Sequence, residues 1–451
     1  MAADLARLLP EIILACTAVA GLLLGSFLPR RRQWPVRVLA AAACVVSLVW
    51  TVIGGTGQVF METYTVDTAT NATRVVVLSS VLLVLGMTRV AGHARETEYV
   101  VLLLLGALGA ITMAGANDLL LLVAAYLLAS VPLYALTAFA KDGPGTEASM
   151  KFYLLGALLG TTMLFGVILV SGVGTGSDYA TLHHELPTAP TTALAVGAVA
   201  VLAGLTFKAG AVPGHFWVPD VTEGALPAVG AIVTTIPKIG AVVALYRFVT
   251  VVPLNWPTLI AVIAAVTMTL GNLAAFYQRD VRRLLAYSTI SQVGYLLMAV
   301  ASARVSLALP SLLLYLAAYA ATNLGAFAVV CALPEARTVD DYTGLRRRPW
   351  LALCLVVCLL GLVGTPPTGV FAGKLTVFTA TFDAGLGWLV VVAAINTVAS
   401  LFYYLRWLMP ALRTGDAVPA RNRAAVAAYV ATPLSVAIGL FAGPILTLLS
   451  S

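Results

Sequence analysis

The stretch FKAGAVPGHFWVPDVTEGALP (207–227) decides how this chain is read. It closes an apolar run of membrane-spanning length, yet it carries Lys208, then Pro213, Gly214 and Pro219, with His215, Asp220 and Glu223 around and after them. Proline removes a backbone donor and clashes with the preceding turn, so the helix is interrupted close to the lysine. Two other apolar stretches repeat the theme: Pro237 directly precedes Lys238, and TPPTGVFAGK (365–374) sets Pro366, Pro367, Gly369 and Gly373 ahead of Lys374. An ionisable amine at membrane depth costs about 2.5–3.5 kcal/mol on insertion scales, so such residues usually line an ion or proton path. Lysine, unlike arginine, can lose its proton when buried. Carbonyls freed at membrane depth are tolerated only where protein or water satisfies them. A broken helix beside a buried amine is therefore the signature of a transport site.

Working outward, composition sets the class. With 61% hydrophobic and 10% charged residues over 451 positions, the chain is an all-α polytopic membrane protein rather than a soluble one. A net charge of +7 does not point to nucleic acid, because the arginines lie in short clusters between apolar runs and no soluble basic domain carries them. Cys16, Cys44, Cys331, Cys354 and Cys358 sit in apolar stretches without a CxxC pair or a flanking histidine, which argues against a metal site or a disulfide framework. There is no Gly-rich dinucleotide turn and no cysteine cluster for iron–sulfur ligation. Asp4, Arg7 and Glu11 lead into the first apolar run without a small-residue cleavage site, so that run reads as a retained span.

A ruler of about 20 apolar residues predicts about fourteen spans, at 8–28, 36–54, 75–92, 99–115, 118–140, 151–172, 192–212, 228–251, 257–277, 283–302, 307–333, 350–371, 385–410 and 424–449. Alternate gaps collect the basic residues. One set holds Arg30, Arg31, Arg32 and Arg37; Arg89 and Arg95; Lys141 and Lys151; Arg279, Arg282 and Arg283; Arg337, Arg346, Arg347 and Arg348; and Arg413, Arg421 and Arg423. The other holds essentially Arg74 and Arg304. The positive-inside rule makes the first set cytoplasmic and places both termini outside. No linker separates two folding units, so residues 1–451 read as a single integral membrane domain.

The residues also resemble a known family. The stretch 207–227, NLAAFYQRDVRRLLAYSTISQVGYLLMAV (272–300), NLGAFAVV (323–330), DDYTGLRRRPW (340–350), TPPTGVFAGK (365–374) and LFYYLRW (401–407) are similar, in the same order and over nearly the whole chain, to the antiporter-like subunits of bacterial respiratory complex I (NADH:quinone oxidoreductase). Within that group LLPEIIL (8–14), NLGAFAVV and DDYTGL most resemble the subunit N type. The resemblance implies two inverted five-helix repeats, spans 4–8 and 9–13, with discontinuous helices at spans 7 and 12 and a row of buried charges along the midplane. Lys208, Lys238 and Lys374 match the family's proton-transfer lysines. The resemblance also implies NADH oxidation and quinone reduction by other subunits, which would hold NADH, FMN, iron–sulfur clusters and quinone. This chain would bind no cofactor itself; its partners would be neighbouring antiporter-like and small membrane subunits in a bacterial plasma membrane.

Two positions depart from the family pattern. Leu127, in LLASVPLY (127–134), stands where the family places a span 5 glutamate that pairs with the span 7 lysine, and Gln292 stands where relatives often have histidine. Other readings stay open for several residues. A lysine near a span end can snorkel to the interface, Lys374 above all. His215 suits a hydrogen-bonded role at the helix break or a relay; Asp220 and Glu223 suit bracketing of that loop or proton uptake; Arg406 suits packing at a lipid edge. A multisubunit Na+/H+ antiporter subunit, a membrane-bound hydrogenase subunit and a transport-silent spacer are the competing functions.

Overall fold

The computed structural model describes residues 2–88, 95–416 and 419–450; Arg89, one of the counted basic residues, lies outside them. Among the described residues thirteen helices are long and apolar enough to cross a membrane, and Pro349–Val363 is a shorter apolar helix. We number the elements α1 (Leu9–Phe27), α2 (Trp34–Ile53), α3 (Thr68–Met87), α4 (Glu96–Gly115), α5 (Leu119–Leu128), α6 (Val131–Thr137), α7 (Gly143–Val173), α8 (Thr191–Ala209), α9 (Trp217–Gly224), α10 (Pro227–Val251), α11 (Trp256–Ala275), α12 (Val281–Ala301), α13 (Ala308–Ala332), α14 (Pro349–Val363), α15 (Gly369–Asp383), α16 (Gly387–Ala411), α17 (Asn422–Leu440) and α18 (Ala442–Ser450). The pairs α8/α9 and α14/α15 are the halves of spans 7 and 12, so the breaks expected from Pro213 and from Pro366–Pro367 are present. Pro237, by contrast, sits inside an unbroken α10.

Among the differences from the predicted spans, which include the extension of span 12 to Asp383, three move a charge or reveal a break. Span 3 begins at Thr68, which puts Arg74 inside the helix rather than in a connection. Span 6 begins at Gly143, so Lys151 is helical and pairs with Glu147 at 2.8 Å. Span 5 is broken between α5 and α6, a discontinuity that hydropathy cannot register because the residues on both sides are apolar. Several starts are set by side-chain caps, which satisfy amides with no partner in the first turn. Asp118 accepts from the Leu120 and Leu121 amides, Asp142 from Gly145, and Asp280 from Arg282 and Arg283.

The chain divides into two compact units. One comprises Met1–Leu85, Val90–Ala209 and Ile236–Trp256; the other Gly86–Arg89, Gly210–Thr235 and Pro257–Ser451. In the first, a short hairpin of β1 (Gly57–Val59) and β2 (Tyr64–Val66) lies between α2 and α3. Here the Arg74 guanidinium, 2% exposed, donates to the Glu11 carboxylate at 2.8 and 2.7 Å and to the Arg7 carbonyl at 3.0 Å. The Tyr64 hydroxyl donates to the same carboxylate at 2.8 Å. Arg247, near the end of α10, ties Asp67 at 2.6 Å and the last turn of α4 through the Ala114 carbonyl at 2.7 Å. Lipid tails supply no hydrophobic force between helices, so such polar clamps and close small-residue contacts carry the packing.

Removing one partner of a buried ion pair leaves an uncompensated charge and typically costs about 3–5 kcal/mol. Glu11→Ala is therefore expected to lower the melting temperature of the detergent-purified protein strongly, whereas Asp4→Ala, which removes a part-exposed pair with Arg7 at 3.8 Å, changes it far less; thermal denaturation of the two variants checks this.

Candidate functional site

In the first unit, Lys208 lies one residue from the end of α8, in the span predicted to break there, and is 1% exposed. Its amine donates to the Ala129 carbonyl and to the Ser130 hydroxyl, each at 2.7 Å, and stands 5.3 Å from the centroid of the Tyr126 ring. Ala129 and Ser130 are the two residues between α5 and α6. The amine thus fills the gap that the span 5 break opens: the Leu133 amide, which would serve the Ala129 carbonyl in a continuous helix, donates to the Ser130 carbonyl at 3.0 Å, and the lysine supplies the donor to Ala129 instead. Gly109 of α4 makes the arrangement possible, because a Cβ there would come within 2.3 Å of the Ala129 nitrogen.

Lys238 is fully buried on α10 and donates to the Ala209 carbonyl at 2.6 Å. Ala209 is the last residue of α8 and the chain neighbour of Lys208. Lys208 is thus rooted one residue before the end of α8 with its amine on the α5/α6 break, while the Lys238 amine binds the terminal carbonyl of α8 itself.

The second unit repeats the device at span 12. Lys374, 4% exposed, donates to the carbonyl of Val363, the last residue of α14, at 2.9 Å. Its amine lies 4.0 Å from the Tyr295 ring centroid, over an aromatic face that attracts a cation. None of the three lysines snorkels to an aqueous edge.

The remaining sequence candidates fall differently. His215 is buried in the connection after α8, stacked on Phe216 with ring centroids 4.3 Å apart, and its Nδ1 has no hydrogen-bond partner. Asp220 and Glu223, on α9, both accept from Arg283 at 3.0 and 2.7 Å, while Arg282 donates to the Ala225 carbonyl just beyond α9 at 3.2 Å. Arg282 and Arg283 read from sequence as orientation signals; here they also anchor the second half of span 7. Arg406 donates to the Phe276, Gln278 and Ala275 carbonyls past the end of α11, so it caps that helix. Leu127, set in the sequence against the family glutamate, is 51% exposed. Sequence reasoning missed Ser130 and the Ala129 carbonyl; the Pro132 in LLASVPLY was the available signal.

A membrane fold with interrupted helices and an amine at each interruption defines the antiporter-like class of membrane subunit. The family described as "NADH:quinone oxidoreductase/Mrp antiporter, TM" matches residues 116–400. The chain is 54% identical to NADH-quinone oxidoreductase subunit N 1 of Streptomyces griseus over 99% of this chain and 98% of that protein. It is 49% identical to NADH-quinone oxidoreductase subunit N of a Mycobacterium species over 96% of each. Among solved structures, respiratory complex I from Thermus thermophilus with bound aureothin contains a chain that superposes with a TM-score of 0.87 at 31% identity, over 97% of this chain and 98% of that one. The Mrp complex from Dietzia sp. shares the fold, with a TM-score of 0.86 at 22% identity over 99% and 96% of the two chains. The chain belongs to the subunit N family of NADH-quinone oxidoreductase, the membrane-arm, antiporter-like component of respiratory complex I.

Gly109→Ala drives a methyl group into the α5/α6 break and is expected to destabilise the protein by about 1–3 kcal/mol, the usual cost of overpacking. Leu127→Ala, at an exposed position, should change stability by far less. Comparative thermal unfolding of the two variants decides whether the Lys208 pocket rests on that glycine.

Proposed function

We propose that this chain moves protons across a bacterial plasma membrane through Lys208, Lys238 and Lys374, driven by NADH oxidation and quinone reduction in partner subunits. NADH, FMN, iron–sulfur clusters and quinone belong to those partners, and the neighbouring antiporter-like and small membrane subunits are the chain's contacts in the membrane arm. Residues 1–451 act as one integral domain with both termini outside, as the alternation of basic connections suggests.

The observation that carries this reading is shared by all three sites: each amine bonds a carbonyl at an interrupted helix. Such carbonyls carry the negative end of the helix dipole, which favours a cation. A neutral amine still has hydrogens to donate to the same oxygen. The site therefore accommodates the lysine with or without its extra proton, and a proton can arrive or leave without breaking the packing. Because the Lys238 amine binds the carbonyl of Ala209, the chain neighbour of Lys208, charge on one amine opposes charge on the other. That opposition couples the two steps. His215 is a candidate relay, having a buried ring nitrogen without a partner. Asp220 and Glu223, held together by Arg283, are better suited to fixing α9 than to taking up protons.

The spacer alternative drew on Leu127, and the bonds of Lys208 to Ala129 and Ser130 weaken it, since the amine is held without a carboxylate at that position. Kinship to subunit N along nearly the full length argues against the Na+/H+ antiporter and hydrogenase alternatives.

Lys238→Met and Lys238→Arg in the assembled, reconstituted complex are expected to abolish this chain's share of proton pumping, since a positioned proton-transfer group contributes about 10²–10⁴-fold. The arginine variant keeps the charge but cannot release a proton. Proton movement is followed with a pH-sensitive dye in vesicles alongside quinone reduction. Native pumping with normal assembly in both variants would remove Lys238 from the path and favour the spacer.

A further inference from the structure

The end of α14 allows a complete accounting of its last carbonyls, which have no partner within the helix. The Leu360 carbonyl accepts from the Gly364 and Thr365 amides, each at 3.2 Å, and from the Thr365 hydroxyl at 3.0 Å. The Gly361 carbonyl accepts from the Gly364 amide at 2.8 Å. These donors are local. The two remaining carbonyls are served by distant side chains: Val363 by Lys374 at 2.9 Å, and Leu362 by the Gln292 amide nitrogen at 2.8 Å.

Gln292 is fully enclosed on α12, and its other end is also committed, because Oε1 accepts from the Tyr315 hydroxyl of α13 at 2.5 Å. The orientation of the amide is unambiguous: a backbone carbonyl can only accept, so the NH2 end must face Leu362 and the oxygen must face the phenol. Tyr315 is in turn locked by the α15 backbone, since a Cβ on Gly373 would lie 2.9 Å from the Tyr315 Cα. Gly373 immediately precedes Lys374 in the chain.

We propose that Gln292 is a positioning residue for Lys374: by occupying the Leu362 carbonyl it leaves the amine the Val363 carbonyl alone, and so limits how firmly the lysine holds its proton. This rests on the proton-carrying reading of Lys374 given above. Without the amide, the Leu362 carbonyl is an unpaired acceptor one residue from the lysine's own, and the flexible ammonium is the donor placed to take it. A second charge-assisted bond holds the proton more tightly. Of the titratable groups packed around Gln292 and Lys374, the Tyr295 ring of α12 faces the amine, the Tyr315 phenol of α13 binds the amide oxygen, and Tyr404 of α16 interacts with both phenols and with Gln292. A neutral amide between them and the carbonyl positions the lysine while carrying no proton of its own.

The test measures proton pumping and quinone reduction against pH in the reconstituted complex carrying Gln292→Leu, Gln292→His, Tyr315→Phe or Lys374→Met. Gln292→Leu should leave quinone reduction intact and move the alkaline limb of the pumping profile upward by about one pH unit, the tenfold change in proton affinity that one more charge-assisted hydrogen bond carries. Gln292→His should return the profile to native, because a neutral imidazole can donate to Leu362 from one nitrogen and accept from Tyr315 on the other. Tyr315→Phe frees the amide to turn and should give a smaller shift of the same sign; it serves as the test if the leucine variant does not assemble. Unshifted profiles in Gln292→Leu and Tyr315→Phe, or failure of histidine to rescue, would overturn the inference. Native pumping in Lys374→Met would instead refute the proton-carrying reading itself.

Discussion

The structure depends on one recurring bond, that between a buried lysine amine and the carbonyl at an interrupted helix. Interrupting a helix in a bilayer leaves acceptors that lipid cannot satisfy, and burying an amine leaves a donor that lipid cannot solvate. Each defect is costly alone. Joined, they cancel most of each other's cost, and they do so three times: Lys208 at Ala129, Lys238 at Ala209 and Lys374 at Val363. The breaks and the lysines are thus a single feature.

What holds those joints in register is backbone contact at glycine and a small number of polar clamps. Gly109 admits the Ala129 backbone beside Lys208; Gly439 of α17 admits Pro367 and Thr368 of the span 12 break, where a Cβ would come within 2.1 Å of the Pro367 carbonyl oxygen. Toward the helix ends, arginines take over. Arg283 gathers Asp220 and Glu223 onto α12, Arg406 caps α11, and in the other unit Arg74 and Arg247 bind Glu11 and Asp67. Arg283, which reads in sequence as a charge setting orientation, therefore also fixes α9.

The absence of a span 5 glutamate gains a different meaning from this geometry. The Ser130 hydroxyl and the Ala129 carbonyl meet the lysine directly, so Lys208 bonds to neutral oxygens. A neutral oxygen favours the ammonium over the amine only modestly, whereas a carboxylate would favour the ammonium strongly. Gln292 follows the same logic at span 12.

The span count, the membrane class, the three lysines and the breaks at spans 7 and 12 were legible in the chain alone, because hydropathy, proline and misplaced charge are local properties. The start of α3 was misplaced because Arg74 ended the apolar window, although Glu11, distant in sequence, neutralises it within the fold. The span 5 break was missed because both its halves are equally apolar, and only the approach of Lys208 shows where the carbonyls point. The partners of each amine and the clamp of Gln292 on Leu362 were likewise decided by tertiary structure. Which donor meets which acceptor depends on helix rotation and close approach between residues far apart in the chain, and periodicity along one chain does not encode that.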